Sequence, residues 1–279
     1  MTGSASTLGP AFPPVPPLSA LVCDLPGGVR LAYSHPQDIA GILEVFVLDA
    51  YELRDLAIGS VVVDLGAGIG DFAVAASRRV GGGGLVIAVE PSPGDFDLLR
   101  RNLAANRCTN VRAVNAALAP HAGPLPLTFK GLSFDARGVP LPELLREAAV
   151  SWDGRHLGSL ALKIDIEGAE AGALVQLGAL LPQVSAIAIE LHGTRAAVDE
   201  VLRPHGFVFR RLSRGTTIRR SVGFLLRHPV VSAKLWRAYR RTRLYSGWRK
   251  ILRGIDITAS ERLAVGVYRR VGEAGAPAP

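Results

Sequence analysis

Residues 61–72 read Val-Val-Val-Asp-Leu-Gly-Ala-Gly-Ile-Gly-Asp-Phe, and the parsing of this stretch decides the fold. The β-branched run predicts a buried strand over Val61–Leu65, and the glycines after it turn the chain into a helix from about Asp71 to Arg79. Strand, glycine turn and helix open a βαβ unit, and the same alternation continues on either side. Upstream, Ile39, Leu43, Phe46, Val47, Ala50 and Tyr51 recur at helical spacing and predict one helix over 37–56. Downstream, strands are predicted at Leu85–Glu90, Val111–Asn115, Leu160–Asp165 and Val184–Glu190. Helices are predicted at Pro93–Ala105, Pro140–Ala149, Ala169–Leu177 and Arg195–Arg203, with a Pro-rich loop before the second of these. Strands at Phe207–Leu212 and Leu263–Arg269 close the fold. The expected architecture is α/β: a doubly wound, mostly parallel, Rossmann-like sheet with an antiparallel last strand.

The spacing of the glycines separates two ligand classes. A dinucleotide fingerprint is G-x-G-x-x-G, but Gly66, Gly68 and Gly70 give G-x-G-x-G, with Asp71 where the third glycine would fall. A carboxylate at the helix start repels a diphosphate docked there. Asp64, at the strand end, suits a cation: it can hold the loop and face the amino group or sulfonium of S-adenosylmethionine. The expected cofactor is therefore S-adenosylmethionine, bound by Asp64, Gly66, Ala67, Gly68 and Gly70. Twenty residues on, Glu90-Pro91 ends the second strand, where an acidic side chain can accept both ribose hydroxyls. Asn115, ending the third strand, is placed to meet the adenine edge, or serves only as a turn residue.

Leu160–Glu170 reads Leu-Ala-Leu-Lys-Ile-Asp-Ile-Glu-Gly-Ala-Glu. Alternation puts Lys163, Asp165 and Glu167 on one face, and charges on a central strand are costly unless paired or functional. Asp165 falls beyond the carboxyl end of its strand, where open α/β sheets bind ligands. The next strand ends Glu190-Leu191-His192-Gly193, which supplies His192 as the base with the best-matched intrinsic pKa. Asp165, His192 and Glu167 are the catalytic candidates; Glu190 is a further candidate base or a partner for Lys163. Asp165, Glu190 and His192 could also meet at a divalent cation, but no ligand spacing supports one and no metal is expected.

These pieces resemble the FkbM family of methyltransferases: Asp64–Gly70, Glu90-Pro91, the helix carrying Asn102 and Asn106, Asn115-Ala116-Ala117, and above all Leu162–Glu170, with the Phe46–Tyr51 segment upstream. Gly68 stands where the family pattern carries Asn. The resemblance covers roughly residues 35–212 and a strand at 263–269. It implies a class I, S-adenosylmethionine-dependent enzyme, with several members that methylate hydroxyl oxygens of natural products or sugars. The Asn/Asp-Pro-Pro-aromatic motif usual in methylases of exocyclic base amines does not follow Leu162, which favours an oxygen acceptor. A nicotinamide dehydrogenase is disfavoured by the glycine spacing, and a noncatalytic basic module leaves both motifs unexplained.

Charge is distributed unevenly. The 279 residues carry a net +8, yet Arg203–Arg253 holds 15 Lys/Arg and no acidic residue. A basic helical insertion is expected at 213–260, between the last two strands of one domain spanning 21–272. Within it, Val231, Leu235, Ala238, Tyr245, Trp248 and Leu252 form an apolar stripe among cations at 227–253. Such a helix can be a lid, can lie on an anionic membrane surface, or can grip nucleic acid, the last making an RNA methyltransferase the alternative. The acceptor is otherwise a small molecule, sugar or lipid-linked glycan. Residues 1–20, with five prolines, and 273–279 are expected to be disordered tails. No run is long and apolar enough to span a membrane, no secretory leader is read, and Cys23 and Cys108 lack metal-ligand spacing. A cytoplasmic enzyme, either free or peripheral at the membrane, is the expectation.

Overall fold

The structure, a computed structural model, describes residues 21–149, 159–241 and 264–270. The expected tails, and the basic segment beyond Arg241 with Tyr245, Trp248 and Leu252, lie outside them. The chain begins with a hairpin of β1 (Leu21–Leu25) and β2 (Val29–Tyr33), then α1 (Pro36–Leu43). Next come β3 (Val61–Leu65), α2 (Asp71–Val80), β4 (Leu85–Val89), α3 (Pro93–Ala105) and β5 (Val111–Val114). A small sheet follows, of β6 (Ala117–Leu118), β7 (Gly123–Phe129) and β8 (Leu132–Val139), then α4 (Leu141–Ala149). The second half holds β9 (Leu160–Ile164), α5 (Glu170–Leu177), β10 (Val184–Leu191), α6 (Arg195–Leu202) and β11 (Phe207–Arg210). Helices α7 (Arg214–Arg227) and α8 (Pro229–Arg241) precede β12 (Ala264–Arg270).

The main sheet has seven strands in the order β11-β12-β10-β9-β3-β4-β5. Pairs β3–β4, β4–β5, β3–β9 and β9–β10 are parallel, while β12 lies antiparallel between β10 and β11, as expected. Every residue of β3 and β4 is buried, which is why β4 reads as a continuous apolar run and β3 as one broken only by Asp64. Val62, Val86, Ala88, Ala161 and Ala188 face a core built with α1, α2 and α3. Val63, Leu65, Leu162, Ile164 and Ile189 face the other, built with α4, α5 and α6. After β5 the chain returns to the far side of β3, so the strand order reverses between β3 and β9. The crevice at the carboxyl ends of those two strands is where such sheets bind ligands.

Two expectations are corrected. The helix predicted over 37–56 stops being α-helical at Leu43; residues Glu44–Leu48 widen into a π-turn, and Asp49 (φ 47) and Glu52 (φ 51) are left-handed. A π-turn keeps residues near helical spacing, so the apolar pattern alone does not reveal it. The Pro-rich loop is instead the β7–β8 hairpin. Pro124 and Pro126 sit in β7, which among the described residues pairs only with β8, and an edge strand tolerates the missing N–H groups.

Candidate functional site

The glycine loop connects β3 to α2 at the strand-order reversal. Gly66 and Ala67 both donate their N–H to the Val89 carbonyl, tying the loop to the end of β4. Gly66 has φ +79, and a Cβ there would lie 1.8 Å from the Asp165 carbonyl oxygen, so the crossing of β3 and the β9 turn demands glycine. Gly70 is likewise demanded, because a Cβ would strike Leu99 of α3 at 2.4 Å. Gly68 differs: at φ +52 its Cβ would meet nothing within 4 Å. The first and third glycines answer to the protein's own packing, and the second faces open space that a ligand could use.

Glu90 closes this loop from β4. It is 4% exposed; its Oε2 accepts from Gly68 N (2.8 Å) and its Oε1 from Ser92 N (2.8 Å). Burial, with a contribution from Asp95, pushes its carboxyl up to about 7 despite those hydrogen bonds. Both oxygens are already in use, and each keeps a further lone pair for a ribose hydroxyl. Asn115 is exposed, and its amide donates to the Glu90 and Pro91 carbonyls, so it holds the turn after β4. Asn102, from the resembling helix, is buried: its amide donates to Ile69 O and Ala32 O, and its Oδ1 accepts from Ala32 N. One side chain thus pins the glycine loop to the N-terminal hairpin.

Beneath the loop lies a charged cluster. Asp64 is completely buried, with Lys163 Nζ 3.4 Å from its Oδ1, and neither carboxylate oxygen has a hydrogen-bond partner. Lys163 donates to Gly66 O at 2.6 Å and reaches Asp165 Oδ2 at 3.5 Å. The expected direct contact of Asp64 with a ligand is therefore corrected: its carboxylate is sealed under the loop and acts on it through Lys163. Burial opposes the Lys163 charge, but Asp64, Asp165 and Asp71 outweigh it and raise its pKa. Around this one ammonium gather more carboxylates than it can neutralise. Burial, reinforced by Asp64 and Asp38, pushes Asp71 up to about 7 even against Lys163. Glu44 and Glu190 are raised as well, by burial first and then by Asp165, with Asp71 adding to the shift of Glu44 and Glu44 to that of Glu190. Tyr51 donates to Glu44 Oε2 (3.4 Å) and stands edge-on to Phe72.

The three catalytic candidates do converge. His192 Nε2 lies 3.3 Å from Glu167 Oε2, 4.0 Å from Asp165 Oδ1 and 3.8 Å from Glu190 Oε1. Glu167 is left-handed (φ 52) and exposed, on the turn between β9 and α5. Behind the ring, Nδ1 is 2.9 Å from Glu170 Oε1, and Glu170 is fully buried. Glu170 also accepts from Gly168 N (2.8 Å) and Thr194 Oγ1 (2.7 Å), which draws its carboxyl below the ordinary value although burial opposes this. Burial also disfavours charge on His192, but the Glu170 hydrogen bond and the Glu167 and Asp165 carboxylates prevail and raise its pKa. The ligand atoms of Asp165, Glu190 and His192 lie within 4.8 Å of one another, a set that a divalent cation could use.

Sequence reading missed Glu170 as the support of His192, and it missed Glu44 and Tyr51. The signal for Glu170 was its two-residue offset from Gly168 at a helix start, which reads as an ordinary first-turn acid. The expected Lys163–Glu190 pairing is not what the geometry favours: the ammonium's close partners are Asp64, Asp165 and Gly66 O. A separate cleft lined by Glu52, Asp55, Ser159 and Arg269 opens at the amino ends of the strands, away from this chemistry.

The open space at Gly68, the acid closing β4 and a carboxylate-rich crevice fit a nucleoside ligand that carries positive charge, and they disfavour a diphosphate. Residues 64–212, just over half the chain, match the methyltransferase FkbM domain model, and the chain belongs to that family. S-adenosylmethionine is the cofactor this membership implies, and the residues present fit it. Among curated relatives, methyltransferase sdnD of Sordaria araneosa is 34% identical over 131 residues, covering 44% of this chain and 50% of that protein. Methyltransferase 1 of Beauveria bassiana (strain ARSEF 2860) is 24% identical over 159 residues, covering 47% of this chain and 64% of that one. The chain thus spans about half the length of the first relative and under two thirds of the second. Among solved structures, a precorrin-6y C5,15-methyltransferase from Geobacter metallireducens GS-15 aligns at TM-score 0.39 and 17% identity, over 62% of this chain and 72% of that one.

Proposed function

We propose that this chain transfers a methyl group from S-adenosylmethionine to a hydroxyl oxygen, with His192 as the general base and Glu170 as its positioning residue. The observation that carries the reading is the orientation of His192. Its Nδ1 is held by a buried carboxylate, while Nε2 faces the carboxyl ends of β9 and β10 beside the glycine loop. When bound, S-adenosylmethionine supplies a methyl group activated by its sulfonium. The protein's work is then to place the acceptor in line and to take its proton. Gly66, Ala67, Gly68 and Gly70 would shape the cofactor cradle and Glu90 and Pro91 would hold the ribose, while Asn115 braces the turn after β4 from which it could meet the adenine. Asp165 would present negative charge to the cofactor's cationic groups, joined by Glu44 and Asp71 where the bound cation draws their raised carboxyls into the ionised form. Asp165 and Glu167 flank His192 and stabilise the imidazolium formed as Nε2 accepts the hydroxyl proton. Glu170 accepts from Nδ1–H and fixes the tautomer of the neutral ring that leaves Nε2 unprotonated.

The acceptor classes that suit this base are a small molecule, a sugar or a lipid-linked glycan. The compartment inferred from two free cysteines is the cytoplasm. A second reading rests on the Asp165–Glu190–His192 set: a divalent cation there would lower the acceptor's pKa and leave His192 as a ligand. Methyl-labelled cofactor incubated with wild type or His192→Ala in cell extract, then sorted into lipid, glycan, RNA and small-molecule fractions, tests the function. Label in a lipid, glycan or small-molecule fraction that requires His192 supports the proposal. Label confined to RNA turns it toward the alternative.

A further inference from the structure

The apolar stripe of α8 is already used: Val231, Leu235 and Ala238 pack into the core as the helix lies on α1 and β1. Helix α7 is built the other way. Thr217 and Phe224 are buried on its inner face, and Arg220 donates to the Leu48 and Asp49 carbonyls. Its outer face carries Ile218, Val222, Leu225 and Leu226, at spacings of four, three and one, exposed by 59%, 47%, 52% and 75%. Val230, 68% exposed, extends the run into the start of α8. On a helical wheel the four aliphatic residues of α7 share one side, opposite Thr217, Arg220 and Phe224. A helix whose solvent face is aliphatic is inverted for a water-facing surface, and contiguous patches of this kind mark interaction sites.

The surrounding charge says what covers it. Arg203–Arg253 has 15 Lys/Arg and no Asp or Glu. Arg219 borders the stripe on the wheel, and Arg219, Arg227, Lys234 and Arg237 are exposed. Nucleic acid would engage such cations but has no use for an aliphatic ridge. An anionic bilayer takes both, acyl chains against the ridge and headgroups against the cations. At about 1.5 Å per residue the helix cannot cross roughly 30 Å of hydrocarbon, and no helix among the described residues is long and apolar enough to do so. We propose that α7 docks the protein flat on an anionic lipid surface through Ile218, Val222, Leu225 and Leu226. Arg220 ties α7 to the segment that bears Glu44 and Tyr51 of the site. A lipid-borne acceptor follows from that tie only if the methyltransferase reading holds; the docking itself does not depend on it.

The test is sedimentation of the full chain with vesicles of phosphatidylcholine containing 30% phosphatidylserine, against phosphatidylcholine alone, at low and high salt. Wild type is expected to bind the anionic vesicles, and added salt to weaken that binding. Leu225→Ser/Leu226→Ser should weaken it roughly tenfold or more. Arg219→Gln/Arg237→Gln should weaken it by about fivefold per charge removed. Both variants should keep wild-type affinity for S-adenosylhomocysteine, which shows that the fold is intact and reads the cofactor site separately. Absence of binding at low salt overturns the proposal, as does binding indifferent to the leucine pair. If the stripe instead forms a dimer that Leu225→Ser/Leu226→Ser dissolves, with no vesicle binding, the occupant is a second copy. RNA binding sensitive to the arginine pair but not the leucine pair, with no vesicle binding, assigns the charge to nucleic acid and likewise refutes docking.

Discussion

Replacing Glu170 by Gln keeps the shape of the side chain and removes its charge. The carboxylate is fully buried and accepts three hydrogen bonds, from His192 Nδ1, Gly168 N and Thr194 Oγ1. A hydrogen bond to a charged group contributes about 1.5–3 kcal/mol and a neutral one about 1, so the imidazolium loses about 0.5–2 kcal/mol of support. At about 1.4 kcal/mol per pKa unit, the His192 pKa, now held above its ordinary value, should fall by about one unit. An NMR titration of the imidazole reads this without any acceptor. With an acceptor in hand, turnover needs His192 neutral, so it should rise with pH through the raised pKa. In Glu170→Gln the midpoint should move to lower pH, and the plateau should drop on the order of 10²–10⁴ as the tautomer is lost. The Glu170 pKa is lowered on folding, so its contribution is present above the ordinary value of 4.5 and is lost as pH falls through the folded one. The melting difference between wild type and variant should therefore close in acid. A His192 pKa that stays put or rises in Glu170→Gln would refute the positioning role.

Asp71 and Glu90, both pushed up to about 7, stabilise the folded chain below their ordinary pKa and lose that contribution as pH rises through about 7. Calorimetric melting of the cofactor-free protein should fall between about pH 4 and 7, and the gain from added S-adenosylmethionine should grow as these carboxyls ionise; a flat profile argues against the carboxylate cluster. Glu90→Ala should weaken S-adenosylhomocysteine binding by about 1.5–3 kcal/mol in calorimetry, and unchanged affinity removes Glu90 from the ribose. Under the base reading, Mn²⁺ titration finds no tight site; tight binding lost in Asp165→Asn moves the account to the metal reading.

Most of the parallel sheet was legible because β3, β4, β9 and β10 are largely buried on both faces and spell apolar runs broken only by Asp64, Lys163, Ser185 and Glu190. The glycine spacing and the charges interrupting Leu160–Glu170 then pointed to the crevice between β3 and β9, and Asp165, Glu167 and His192 do meet there. What local pattern could not supply was depth. Asp64 and Glu90 were read as ligand-facing because both end strands, yet one is sealed under Lys163 and the other is already bonded to the loop. Glu170 and Tyr51 join the site only through tertiary packing, as does the π-turn that carries Glu44. The apolar stripe of α8 read as a binding face because sequence cannot tell which side of a helix the body covers. The structure uses that stripe in the core and leaves the α7 stripe outside.

The proposed cofactor cradle is Gly66–Gly70, where Gly68, unlike Gly66 and Gly70, faces open space. Isothermal titration of wild type and Gly68→Val with S-adenosylhomocysteine and with NAD tests it most directly. The prediction is saturable binding of S-adenosylhomocysteine to wild type, none of NAD, and none of either to Gly68→Val, whose branched side chain fills the approach and strains the loop at its left-handed φ of +52 without touching the core. Circular dichroism of the variant should match wild type. Wild type that ignores S-adenosylhomocysteine, or a folded Gly68→Val that binds it equally well, would contradict the account.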